Sequence, residues 1–150
     1  MINLDKLIKR LEVFQENIPE HLMDIVKENE EGIVSYVTEI QHYMEGVRGS
    51  DGAIIMDYRP YAASTIALKI EKGQPTDRVT FRDTKRMHKE THLVYGEDEF
   101  MITSPVEYLP SLLMKYGEGI MALSDEHLHS LKMAIIRPAM IEKLKDAIHE

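Results

Sequence analysis

An α+β fold, a small antiparallel sheet with N-terminal and C-terminal helices packed on it, is predicted by three observations. Apolar residues recur at helical spacing over residues 1–46 and again over 124–150. Between them, His92-Leu93-Val94-Tyr95 and Phe100-Met101-Ile102-Thr103 flank Gly96-Glu97-Asp98-Glu99, the pattern of a β-hairpin. Glycine and proline breaks separate the two regimes, at Gly46 to Gly52 and again at Gly117 and Gly119. At 150 residues the prior is a single domain over 1–150, with a helical part at 1–48, a mixed core at 53–123 and a C-terminal helix at 124–150.

Each element has a local cause. Asn3 is a good N-cap for a first helix with Leu4, Leu7, Ile8, Leu11 and Phe14 on one face. Asn17-Ile18-Pro19 interrupts it, and Pro19 is tolerated in the first turn of a second helix. That helix is expected to run to Gly46 on the stripe Leu22, Ile25, Val26, Ile33, Val37, Ile40 and Met44, with Gly32 as a place for a kink. Ala53 to Asp57 is short enough to be strand or helix. Tyr58-Arg59-Pro60 is a turn entry, followed by a short helix carrying Ala62, Ile66, Ala67 and Ile70 and stopped at Gly73, a natural left-handed residue. Val79, Thr80 and Phe81 read as a third strand, and Asp83-Thr84 as a cap for a further turn. Pro105 closes the hairpin, and Val106 to Tyr116 packs on the sheet as helix or loop. Ser124 caps the last helical region, whose buried face is Leu128, Leu131, Ile135, Ile141, Leu144 and Ile148, and Pro138 should kink or split it near Arg137.

Composition excludes several classes. The absence of cysteine rules out disulfides and thiolate metal sites. No stretch approaches the roughly 20 apolar residues of a membrane span, and the first residues lack the pattern of a signal peptide. The net charge of −8 argues against general nucleic-acid binding. Acidity is concentrated in residues 1–50, where 10 acidic and 5 basic side chains leave −5. The one basic cluster, Arg78, Arg82, Lys85, Arg86 and Lys89, reads as a solvated loop more readily than as a phosphate-contacting patch. Ten methionines lie mostly beside apolar positions and read first as core filling, second as adaptable contact surface.

Few residue patterns in the chain match those that carry chemistry. His88-Lys89-Glu90-Thr91-His92 places two histidines four apart, but a metalloprotease helix needs its glutamate directly after the first histidine, and Glu90 comes second. His127 and His129 point to different faces of a helix. Neither Ser64 nor Ser104 sits in a glycine-flanked elbow, and Gly46, Gly49 and Gly52 lack the lysine of a phosphate loop. No catalytic, cofactor-binding or metal residue is assigned, and no cofactor is expected.

One resemblance remains. Tyr58-Arg-Pro-Tyr, then Thr65 with Lys69, then Lys72-Gly73, then Val79-Thr-Phe-Arg-Asp-Thr84, is similar to the tail-completion and virion-morphogenesis proteins of tailed bacteriophages. The hairpin, Tyr108-Leu109, Tyr116-Gly117 and Arg137-Pro138-Ala139 agree with it. The resemblance covers Tyr58 to about Thr103, with weaker agreement beyond. In that family Tyr58, Pro60, Thr65, Gly73, Asp83 and Thr84 match scaffold positions. Lys85 departs from it, standing where the family has a glycine; if that glycine serves positive φ, lysine implies a different turn or a more distant relationship.

The resemblance implies a non-enzymatic virion structural protein, a neck or tail-terminator-like subunit in the head-tail joining region, assembled in the host bacterial cytoplasm. Its expected partners are other copies of itself in a homo-oligomeric ring and the phage connector and tail-tube proteins, with DNA passing through a lumen, no sequence-specific nucleic acid and no membrane. Two other classes stay open: a metal-dependent enzyme using His88, Glu90 and His92, and a helical adaptor or regulatory protein binding a partner through residues 1–46.

Overall fold

The computed structural model describes residues 1–47, 49, 52, 55, 63–82 and 85–149. It is mostly helical with a small two-stranded antiparallel sheet and helices at both ends, an α+β fold. Helix α1, Leu4–Glu16, starts where the Asn3 side chain accepts a hydrogen bond from the Lys6 N–H. Helix α2, Ile18–Glu28, carries Pro19 in its first turn, where no amide donor is needed. The expected long second helix is instead broken at Asn29, whose side-chain amide donates to the Ile25 carbonyl, and Gly32 lies within the next helix, α3, Glu30–Ser35. The chain then widens into a π-helical segment, Tyr36–Glu45, which ends at the left-handed Gly46.

Helix α4, Ala63–Glu71, is followed by Gly73 in the left-handed region, as the turn signal requires. None of its side chains is buried, so the expected apolar face of Ile66 and Ile70 stays open. Helix α5, Arg86–Glu90, precedes strands β1, His92–Tyr95, and β2, Phe100–Thr103, which pair with His92 opposite Thr103. The expected third strand does not form: Val79 and Thr80 are buried in irregular chain, and Phe81 turns to φ 55°. A residue in that conformation cannot continue an extended ladder.

Helix α6, Leu109–Tyr116, and α7, Asp125–Leu131, follow, the latter capped by the Ser124 hydroxyl, which accepts from the His127 N–H. A second π-helical segment, Lys132–Ile136, joins α7 to α8, Arg137–His149. Pro138 follows this widened turn, and the helical run from Asp125 to His149 continues past it without a break in the chain's helical conformation. The core gathers Val26, Ile33, Val37, Met87, Leu93, Ile102, Val106, Ile120 and Leu131 from nearly every element. Helix α8 contributes no fully buried residue and packs instead along α1 and α2, where the Arg10 guanidinium donates to the Ile148 carbonyl. Among the described residues, no helix is long and apolar enough to cross a membrane.

Candidate functional site

The π-helical segment Tyr36–Glu45 is where polar chemistry enters the core. Its turn is wider than that of an α-helix, so the adjacent residues Gln41 and His42 both face inward, beneath Val37 and Thr38, and all four are buried. Two hydrogen-bonded networks grow from this pair.

In the first, His42 Nε2 meets the Ile120 carbonyl and His42 Nδ1 lies 3.1 Å from His88 Nε2. A carbonyl only accepts, so Nε2 of His42 carries the proton and Nδ1 accepts from His88 Nε2–H. His88 Nδ1 is then free to accept from the Arg82 Nε–H at 3.3 Å. The guanidinium of Arg82 pairs with Glu39 and stacks 3.9 Å over the Tyr43 ring. Every donor faces an acceptor from Arg82 to Ile120, with both imidazoles neutral. Burial, outweighing the Ile120 hydrogen bond, pushes His42 down to about 4. Burial first, then the repulsion that a second proton on the His42–His88 pair would meet, then the charge of Arg82, pushes His88 down to about 3.

In the second, the Gln41 amide donates to the Ala122 carbonyl at 2.6 Å while its oxygen accepts the Ser124 N–H. That fixes which end of the amide is oxygen. His127 Nδ1 lies 3.2 Å from this oxygen and Nε2 lies 3.1 Å from a Glu45 carboxylate oxygen, so both ring nitrogens face acceptors. The segment 118–124 is thereby tied to the π-helical turn from two sides. Gly49 completes the junction, donating to the Gly119 carbonyl at 2.9 Å; a Cβ there would sit 1.7 Å from the Ala122 oxygen.

These histidines are occupied by one another and by the backbone, which makes the network a clamp between segments rather than an open catalytic centre. The triplet His88, Glu90 and His92 is dispersed: His88 binds His42, Glu90 pairs with Arg86, and His92 Nδ1 turns to the Glu90 carbonyl. Among the described residues no group of three His, Asp or Glu side chains converges to hold a metal ion. His127 is buried and His129 exposed, as their helical spacing requires. The basic cluster is only partly a solvated loop. Arg82 is half-buried in the first network and Arg78 Nε donates to the Tyr43 carbonyl, whereas Arg86 forms a bidentate pair with Glu107 at the surface.

Of the scaffold positions in the resemblance, Tyr58, Pro60, Asp83 and Thr84 lie outside the described residues. Thr65 is half-buried on α4 and Gly73 is its left-handed stop. Lys85 adopts φ 61°, so the position where the family has glycine does use the left-handed region, with lysine bearing the strain.

A cleft of about 540 Å³ opens beside the first network, between α4 and α6, with Phe81 and Arg82 in its wall. The surface also carries large aliphatic residues: Leu4, Ile8 and Leu11 share one face of α1, and Met44, Met101, Met114 and Met133 are exposed. The methionines therefore divide, with Met87 and Met121 filling the core and these four covering surface. The histidine pair could not have been found from spacing, because His42 and His88 are 46 residues apart. Set against known protein families, curated proteins and solved structures, the chain matches none of them.

Proposed function

We propose that the protein is a non-catalytic assembly subunit that associates with copies of itself through α1, in the manner of a neck or tail-completion component of a phage or prophage virion. The observation that carries the reading is the open face of α1. Leu4, Ile8 and Leu11 recur at i, i+4 and i+7 and are 67%, 52% and 39% exposed, while Phe14 alone on that helix is buried. An aligned apolar face left to water favours a partner.

A second copy is the partner that the charges favour. Across its 13 residues α1 carries Asp5, Glu12 and Glu16 against Lys6, Lys9 and Arg10, a balance of zero in a chain of net −8. Helices α1 of neighbouring subunits can therefore meet without like-charge repulsion, which the acidic stretch from Glu20 to Glu31 would not permit. The adaptable exposed methionines and the internally satisfied histidine networks suit the same role, one rigid core with contact surfaces around it. The resemblance over Tyr58 to Thr103 supplies the class of assembly. Mixing the purified protein with phage connector and tail-tube proteins and measuring particle mass tests it: a ring-sized species is expected, and a chain that stays monomeric in their presence overturns it.

A further inference from the structure

We propose that the outer edge of strand β2 takes up an extended peptide as a third strand, a function separate from self-association through α1. The peptide it fits has an apolar residue followed two positions later by lysine or arginine. The hydrogen-bond alternation of the hairpin fixes which backbone groups are open. In an antiparallel ladder, facing residues alternately exchange both backbone hydrogen bonds or turn both groups outward. The Gly96 N–H donates to the Glu99 carbonyl at 2.7 Å, whereas the Leu93 N–H leaves the ladder and donates to Glu30 Oε1 at 2.8 Å. Leu93 with Ile102, and Tyr95 with Phe100, are therefore the pairs that turn outward. Helix α3 lies along β1 and supplies Glu30, so that edge is covered. The N–H and C=O groups of Phe100 and Ile102 face the other way, where among the described residues no strand pairs with them and no backbone hydrogen bond reaches them. Such an edge is a template for a further strand.

The face and the charges of this edge select the peptide. Val94 and Met101 stand opposite each other on the outer face of the hairpin, 43% and 61% exposed, so an apolar residue paired with Met101 extends their row. β2 itself carries no lysine or proline to blunt its edge, and Pro105 comes only after its end. Glu97, Asp98 and Glu99 are exposed at its entry, and no ion pair engages them among the described residues. Glu99 is two residues before Met101 and shares its face. Antiparallel pairing sets the peptide residue two positions after the apolar one opposite Glu99, where a cation is matched. A second copy's β2 cannot supply that charge, because the chain has no lysine or arginine from Glu97 to Pro105. The edge is thus suited to a basic-ended peptide rather than to another copy of itself.

Isothermal titration of the full chain with the peptide acetyl-Ser-Thr-Val-Thr-Lys-Lys-amide tests the inference. Its valine pairs with Met101, its threonines with Ile102 and Phe100, and its lysines with Glu99 and Asp98. Saturable one-to-one binding is expected. N-methylation of both threonines, which removes the donors to β2, should weaken it by about tenfold or more, and N-methylation of the valine, whose N–H points away, should change it little. Replacing both lysines by glutamate should weaken it by about tenfold, and the exposed Glu99→Lys exchange should reverse that preference. Amide deuterium exchange at Phe100 and Ile102 should slow when the peptide is bound. No saturable binding, equal loss from either N-methylation, or equal affinity for the glutamate peptide would overturn it. Protection of the two amides that rises with protein concentration in the absence of peptide would assign the edge to a second copy and overturn it as well. The wild-type peptide series decides alone if the variant does not fold.

Discussion

Neutral His42 and His88 hold the first network together, and their depressed proton affinities set how the protein responds to acid. An unfolded chain protonates both near pH 6.5, whereas the folded chain resists until about 4 for His42 and about 3 for His88. Between those limits the unfolded state binds more protons, so stability falls as pH falls. It is fully present above about 6.5 and lost on the way to 4, with a slope of up to about 2.7 kcal/mol per pH unit when both residues contribute. Urea titrations between pH 7 and pH 4.5 should show this decline, and His88→Gln should lower stability at pH 7 yet flatten the slope to about half. An unchanged slope in that variant would mean that other groups control the acid response. Gly49 is the second residue whose role is fixed by geometry. Gly49→Ala drives a methyl group into the Ala122 carbonyl and should cost roughly 3 kcal/mol, a fall of about 10 °C in Tm by calorimetry. Neither role was legible in the sequence. Gly49 looked like one loop glycine among three, and the partner of His88 lies on a segment whose π-helical turn the α-periodicity could not reveal.

Elements whose causes are local were legible. Asn3 and Ser124 cap the helices they were expected to cap, Gly46 and Gly73 stop theirs in the left-handed region, and the hairpin pairs in the expected strands. Those whose causes are tertiary were not. Val79 to Phe81 has strand composition but serves as an irregular wall, because Phe81 is needed against His42 and Tyr116 rather than in a ladder. Helices α1 and α4 have the apolar spacing of buried helices and yet leave Leu4, Ile8, Leu68 and Ile70 open, since periodicity shows that a face is apolar and not what covers it. The two ends of the helical N-terminal part consequently differ in worth. Removing residues 1–16 takes away Phe14 and the Arg10 contact to α8 and should leave a cooperatively folded chain of reduced Tm. Removing residues 1–46 also takes Ile25, Ile33, Val37, Gln41 and His42, all almost wholly inaccessible, and should abolish cooperative unfolding in circular dichroism.

Over the whole molecule, the interior is closed and the contact surfaces lie outside it. The first polar network binds the π-helical turn to Arg82, His88 and Ile120, and the second binds it to Ala122, Ser124 and His127. The open faces of α1 and α4 lie on elements that add little to the core, where association can change without cost to folding. Self-association through α1 is the central claim, and sedimentation velocity of the wild type beside Ile8→Glu, across a hundredfold range of concentration, tests it most directly. The wild type is expected to pass from the 17.3 kDa monomer to larger species as concentration rises, and the variant to remain monomeric with unchanged Tm. A wild type that stays monomeric throughout, or a variant that assembles equally well, would contradict it.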